Sequence, residues 1–354
     1  MSMLFSPLTL RGLTIRNRIF MSPMCQYSAV DGFPDDWHLV HLGSRATGGA
    51  GLVMMEATAV TPAGRISPGD LGIWSGDHAL AYRRIAGFLR AQGAVPAIQL
   101  AHAGRKASAD APWRGGSPLP ESAGGWKPLA PSALPFSADS PVPHALEIDE
   151  IDAIVTAFAE AAQYALDAGF QVAEIHMAHG YLLHSFLSPL SNLRTDDYGG
   201  AFENRARLPL ETARRVREIW PDELPLFVRI SATDWAGNGW DLVQSVQLSR
   251  LLKEIGIDLI DCSSAGLLPT APPDVGPGFQ TPFAEAIRHE VDIATSAVGL
   301  ITEPMQAEHI LRTEQADAVA LGRELLRDPY WPLHAAKVLG EDIEWPAQYL
   351  RARR

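Results

Sequence analysis

Only two cysteines, Cys25 and Cys262, occur in 354 residues. They lie far apart beside apolar runs, which reads as free thiols in a reducing cytoplasm rather than a disulfide framework. No CxxC pair or cysteine cluster is present to hold an iron–sulfur centre. Positive charge is scarce as well. Lys and Arg total 29 against 41 Asp and Glu, a formal charge of -12. That argues against sequence-independent nucleic-acid binding, which needs a basic surface. No apolar run approaches the roughly 18 residues of a membrane span, and the opening MSMLFSPLTLRGL lacks the apolar stretch of a signal peptide. Also missing are a G-x-G-x-x-G turn behind a strand and a Walker A loop, so neither a dinucleotide fold nor a P-loop is encoded.

What is present is ordinary for an enzyme with a sizeable core: 47% hydrophobic and 20% charged residues. Eight short apolar runs read as strands, at 19–24, 51–57, 95–101, 172–178, 226–232, 259–264, 293–299 and 318–322. Segments with helical spacing lie between them, at 79–91, 150–168, 204–220, 243–255 and 304–312. Alternating strand and helix implies parallel pairing, and eight repeats imply closure into a (β/α)8 TIM barrel, α/β in class. The whole chain, 1–354, reads as one domain. Residues 1–18 are expected to close the barrel floor as a short hairpin. A Pro/Gly/Ser-rich excursion at 103–146 follows the third strand. Loops of that length are usually lids or binding loops, and this one is read as cover for the active site; the alternative is a mobile surface insertion.

In such barrels the chemistry sits at the C-terminal ends of the strands. The first run ends in Ser22, Pro23, Met24 and Cys25, with Tyr27 beyond. The second gives Ala57 and Thr58, and the third Gln99 and His102. The fourth gives His176, His179 and Tyr181, and the fifth Arg229. Ser263, Ser264, Gly299, Gly322 and Arg323 complete the ring. A charged Arg229 inside LPLFVRISA is costly to bury without an anion or dense hydrogen bonding, and Gln99 inside VPAIQLAHAGR is expensive without partners. Singly, each has a plainer reading: an internal salt bridge for Arg229, a satisfied core amide for Gln99. His176 and His179 are three apart, so on a strand they would face opposite sides. They converge only if the chain turns between them, which Gly180 permits. Two histidines also leave zinc open, although the other strand ends offer no further ligand set. Asp234, Trp235 and the nearby glycines read as loop structure and are assigned no role.

The block VAEIHMAHGYLLHSFLSPLSNLRTDDYGGAFENRAR at 172–207, together with SPMCQYS, EATAV, QLAHAGRKA and LGRELLRDPYW, resembles the Old Yellow Enzyme family of FMN-dependent NADH:flavin oxidoreductases. The His-x-x-His pair resembles its YqjM and xenobiotic reductase A-like subgroup, and the absent cysteine cluster separates the chain from the larger dienoyl-CoA-reductase relatives. The resemblance implies FMN held by Ser22, Pro23, Met24, Cys25, Ala57, Gln99, Arg229, Gly299, Gly322 and Arg323. It implies substrate on Tyr27, His176 and His179, with Tyr181 as proton donor and Cys25 against the flavin as a tuning thiol. For Tyr181 an aromatic wall residue, and for Cys25 a small buried hydrophobe, remain alternatives. The implied reaction is ping-pong: NADPH or NADH reduces FMN, then the C=C bond of an activated alkene takes hydride from N5. Such enzymes form dimers or tetramers, and the tail at 341–354 would carry Arg351 into a neighbouring subunit's site. Competing readings are a barrel metallohydrolase and a catalytically idle flavin-binding sensor.

Overall fold

The computed structural model describes every residue except Met1, Ala271, Pro273 and Arg354. Its strands are β1 (Leu8–Leu10), β2 (Leu13–Ile15), β3 (Ile19–Met21), β4 (Leu52–Ala59), β5 (Val95–Ala101), β6 (Leu129–Ala130), β7 (His144–Ala145), β8 (Val172–Met177), β9 (Leu226–Ser231), β10 (Leu259–Ser263), β11 (Ala294–Ala297) and β12 (Ala318–Leu321). Strands β3, β4, β5, β8, β9, β10, β11 and β12 close into a parallel barrel, with β12 paired to β3. This is the expected (β/α)8 barrel, and each of its strands coincides with one of the eight apolar runs.

The helices are α1 (Asp36–Thr47), α2 (Gly76–Ala91), α3 (Ile148–Ala168), α4 (Leu182–Leu187), α5 (Phe202–Arg205), α6 (Arg207–Ile219), α7 (Leu242–Ile255), α8 (Thr281–Val291), α9 (Pro304–Arg312), α10 (Arg323–Arg327) and α11 (Trp331–Leu339). The helix expected over 204–220 is broken at Ala206 into α5 and α6. Helix α1 escaped the periodicity because its buried face holds His38, His41 and Arg45 alongside Leu42 and Ala46. Asp35 caps it, accepting the Trp37 and His38 N–H groups while His38 accepts in return.

Two apolar shells hold the barrel. The outer one lies between strands and helices. The inner one contains Phe20, Leu52, Met54, Val95, Ala97, Val172, Phe227, Leu259, Ala318 and Ala320, plugged from below by Leu8 and Ile15 of the β1–β2 hairpin. Each large side chain so buried contributes roughly 1.5–3 kcal/mol, and the hairpin floor expected at 1–18 is present.

Above that floor the same strand faces turn polar. Alternation gives Val172, Glu174, His176 on β8, Phe227, Arg229, Ser231 on β9, and Leu259, Asp261, Ser263 on β10. The register sets Gln99 beside Glu174, His176 beside Arg229, Arg229 beside Asp261, and Asp261 beside Ser296. Strand β4 breaks the alternation. A register shift between Met55 and Ala57 sets Ala57 beside Gln99 and skips Glu56, a bulge that re-aims side chains near the mouth. The excursion at 103–146 leaves the end of β5 and contains three short 3-10 turns and the β6–β7 pair.

Candidate active site

Strand β8 ends at Met177, and the chain then turns sharply. His179 has φ 60° and Gly180 φ 72°. A side chain at 180 would bring its Cβ within 2.3 Å of the Gly266 carbonyl oxygen, so the turn requires glycine. The turn brings the His176 ring to 5.1 Å from both His179 and Tyr181, nearly perpendicular to each. The convergence expected of the two histidines is present, with His179 itself taking part of the bend. Lys106 Nζ donates to the carbonyls of His179 and Gly266, at 2.9 and 3.0 Å, and the His179 N–H donates to Ser231 Oγ at 2.9 Å. His179 Nε2 lies 2.7 Å from Ser263 Oγ, so the direction of that hydroxyl sets the His179 tautomer.

Burial, then the neighbouring Arg229 guanidinium, holds both imidazoles well below the ordinary histidine range. Both are neutral at pH 7. Burial pushes the Tyr181 phenol well up, so it keeps its proton. Cys25 and Tyr27 are likewise raised, first by loss of solvent and then by nearby negative charge. The Tyr27 ring meets Trp113 of the excursion edge-on at 5.5 Å. Behind this loop, the bulged-out Glu56 accepts the Gln26 N–H at 2.9 Å.

Deeper in the barrel, Gln99 Nε2 donates to Glu174 Oε1 at 2.7 Å, and Arg229 Nε lies 3.3 Å from Asp261 Oδ2. Ser296 Oγ donates to Asp261 Oδ1 at 2.6 Å. The internal-partner readings of Gln99 and Arg229 are therefore each met in part, by acids the sequence reading passed over. Burial and the facing Asp261 push the Glu174 carboxyl up. The same signal that singled out Arg229, a charge inside an apolar strand, was available for Glu174 in VAEIHM and Asp261 in LIDCS. Lys106, Asp70, Gln280 and Asp234 were also missed. Asp70 is buried, held by Ile66 and Ser67, and raised to about 6 by burial; Gln280 accepts the Ser264 hydroxyl at 2.6 Å.

A recess of about 240 Å³ opens between the ends of β11 and β12, lined by Gln280, Gly299, Thr302, Gly322, Arg323 and Arg327 among others. Gly299 has φ 128°, and Gly322 faces open space: an added Cβ would stand 3.7 Å from Met24 Sδ and 3.9 Å from Ser22 Cβ. This places Ser22 and Met24 against the recess, with Pro23 between them. Arg351 is elsewhere. It lies exposed in the 3-10 turn Ala347–Ala352, whose first residues, Ala347 and Gln348, line a recess with Arg16, Gly49 and Gly93 at the opposite rim, where β4 and β5 begin. Within one chain it does not join the site. No group of three or more His, Cys, Asp or Glu among the described residues could hold a metal ion.

Buried polar atoms around the mouth without a hydrogen-bond partner among the described residues include Ser22 Oγ, His102 Nε2 and His176 Nδ1. Buried polar groups are normally satisfied, so they point to a polar ligand. A guanidinium for negative charge, an amide with a free oxygen, and a glycine-lined recess at the usual barrel phosphate position suit a flavin mononucleotide. Fold and site define a flavin-dependent oxidoreductase barrel.

The comparisons agree. The model of the NADH:flavin oxidoreductase / NADH oxidase family matches residues 3–342, and the chain belongs to that family, the Old Yellow Enzymes, whose cofactor is FMN. It is 50% identical to an NADPH dehydrogenase of Geobacillus thermodenitrificans, over 100% of this chain and 99% of that protein. Morphinone reductase, solved with tetrahydroNAD, superposes with a TM-score of 0.79 at 30% identity, covering 97% of this chain and 92% of the other. A 2-naphthoyl-CoA reductase shares the fold at TM-score 0.86 and 24% identity; this chain, 96% covered, spans 52% of it.

Proposed function

We propose that this FMN-dependent NAD(P)H oxidoreductase is an ene-reductase, reducing the C=C bond of activated alkenes such as α,β-unsaturated carbonyls and nitro compounds. The observation behind the reading is the convergence of His176, His179 and Tyr181, all neutral, in front of Arg229 and Gln99. FMN, when bound, supplies the hydride it has received from the nicotinamide. Arg229 meets the negative charge that reduction places on the ring and so favours the reduced state. Gln99 offers its free amide oxygen, and Ala57 stands beside it because of the bulge. Ser22 to Cys25, Gly299, Gly322 and Arg323 line the remainder. His176 and His179 grip the substrate's carbonyl or nitro oxygen through N–H donors and polarise the alkene, with Tyr27 as a further phenol. Tyr181 holds the proton destined for the α-carbon.

No dinucleotide-binding motif is encoded, so nicotinamide and alkene take turns at one place. NADPH is preferred in this reading, following the dehydrogenase relatives. The excursion at 103–146 covers the mouth of the single domain, and the chain works in the cytoplasm as a homodimer or homotetramer in which Arg351 reaches a neighbouring site. Ligand binding unchanged in Arg351→Ala would remove that last element. For the reaction itself, the purified protein is examined anaerobically. Visible bands near roughly 370 and 450 nm should bleach with NADPH and return on adding an enone. Bleaching without enone-driven return would leave a flavin-binding barrel that is not an ene-reductase.

A further inference from the structure

We propose that Asp234 and His184 are positioning residues for this site: the carboxylate fixes the imidazole's tautomer, and the imidazole fixes the turn that presents His179 and Tyr181. The inference rests on reading that turn as the substrate-binding element. His184 lies in α4 and Asp234 just beyond β9, and both side chains are fully shielded from solvent. His184 Nδ1 accepts the Gly180 N–H at 2.8 Å. A neutral ring nitrogen that accepts carries no proton, so the ring proton belongs on Nε2. That atom is 3.0 Å from Asp234 Oδ1. The approach is bent, yet neither atom has another partner among the described residues. Asp234 Oδ2 is taken already, accepting the Ser188 hydroxyl at 2.6 Å and the Trp240 N–H at 2.7 Å.

The Gly180 bond matters because two successive residues there sit at positive φ. A histidine at φ 60° is sparsely populated and persists only where its surroundings over-determine it. Losing the Gly180 acceptor frees the turn between His176 and Tyr181, in a site where a displacement of about 1 Å can cost a hundredfold in rate.

The isosteric change Asp234→Asn isolates the effect. Ser188 and Trp240 both donate to Oδ2, so the amide oxygen must take that place and the amide NH2 must face His184. The ring is then forced to accept at Nε2 and carry its proton on Nδ1, donor against donor at Gly180. His184→Asn has no tautomer to switch, and its amide oxygen can still accept the Gly180 N–H.

The test uses the holoenzyme with 15N-labelled histidine, reading the His184 tautomer by NMR, and times reoxidation of dithionite-reduced enzyme by cyclohexenone. We expect Nε2–H in the wild type and Nδ1–H in Asp234→Asn. That variant should reoxidise about ten- to a hundredfold more slowly, with FMN affinity unchanged within about twofold. In the His184→Asn background, Asp234→Asn should have little further effect, the coupling a double-mutant cycle detects. Nδ1–H in the wild type, or equal effects in both backgrounds, would overturn the proposal. If Asp234→Asn does not fold, His184→Asn is compared with His184→Leu: only leucine, which offers no acceptor, should slow reoxidation, and equal rates would refute the idea. A wild type that cyclohexenone cannot reoxidise counts against the ene-reductase reading, while the tautomer result still decides this one.

Discussion

Arg229 is buried at the centre of the barrel with Asp261 as its ionic partner, 3.3 Å away. Removing one member of a buried pair typically costs about 3–5 kcal/mol, whereas removing both is often neutral. Arg229→Met should therefore lower the melting temperature and weaken, without abolishing, FMN binding, and Arg229→Met/Asp261→Asn should recover most of the stability. Neither variant should recover the flavin's midpoint potential, expected to fall by roughly 30 mV or more, 30 mV being about 1.4 kcal/mol for two electrons. An unchanged potential in the double variant would show that Arg229 serves the fold alone. His102 gives a pH dependence. Burial lowers it to about 4, while the unfolded chain titrates near about 6.5. Its contribution is complete above the unfolded value and is lost as pH falls from there towards 4, because the unfolded state binds a proton that the native state refuses. His102→Asn can still accept the Gly104 N–H that His102 Nδ1 takes at 3.1 Å. Urea midpoints from pH 7 to 4.5 should fall less steeply for that variant; parallel curves would refute this. At this scale the sequence told where charge was out of place, in Arg229, but not who answers it. Asp234 looked like any loop acid because His184 and Ser188 lie 50 and 46 positions before it, Trp240 6 after it, and only the fold gathers them around the carboxylate.

The elements were legible where pattern and packing agree. Strand β5 and helix α9 coincide with the runs at 95–101 and 304–312, since a barrel strand buried on both faces must be continuously apolar. Helix α1 and the bulge in β4 were not legible. The first buries histidine and arginine, and the second is one residue out of step, which alternation alone cannot reveal. The recess between β11 and β12 supports a prediction of its own. Gly322 sits at φ -98°, ψ -101°, outside the regions that side-chain-bearing residues favour, although an added Cβ would meet only ordinary contacts. Gly322→Val should lower the apoprotein's melting temperature modestly, reflecting the roughly 1–3 kcal/mol that a sparsely populated backbone conformation costs. It should weaken FMN binding about tenfold or more, through crowding of the kind that costs about 1–3 kcal/mol. Equilibrium titration of the apoprotein with FMN measures it, and unaltered affinity would move the phosphate away from this recess.

On the scale of the molecule, the barrel is plugged at one end by Leu8 and Ile15 against Phe20, Val172 and Phe227. Ile15→Ala opens a cavity there and should cost about 2–5 kcal/mol, visible as a lower denaturant midpoint, while the spectrum of bound flavin stays the same. A shifted spectrum would mean the floor is not independent of the mouth. The plug also governs traffic. With the lower end sealed by hydrocarbon, everything that enters must retreat by the way it came, and each departing product stands in the path of the next arrival. Crowding by either reactant should then slow the other: turnover should decline at high NADPH unless alkene is raised in step, and decline likewise at high alkene.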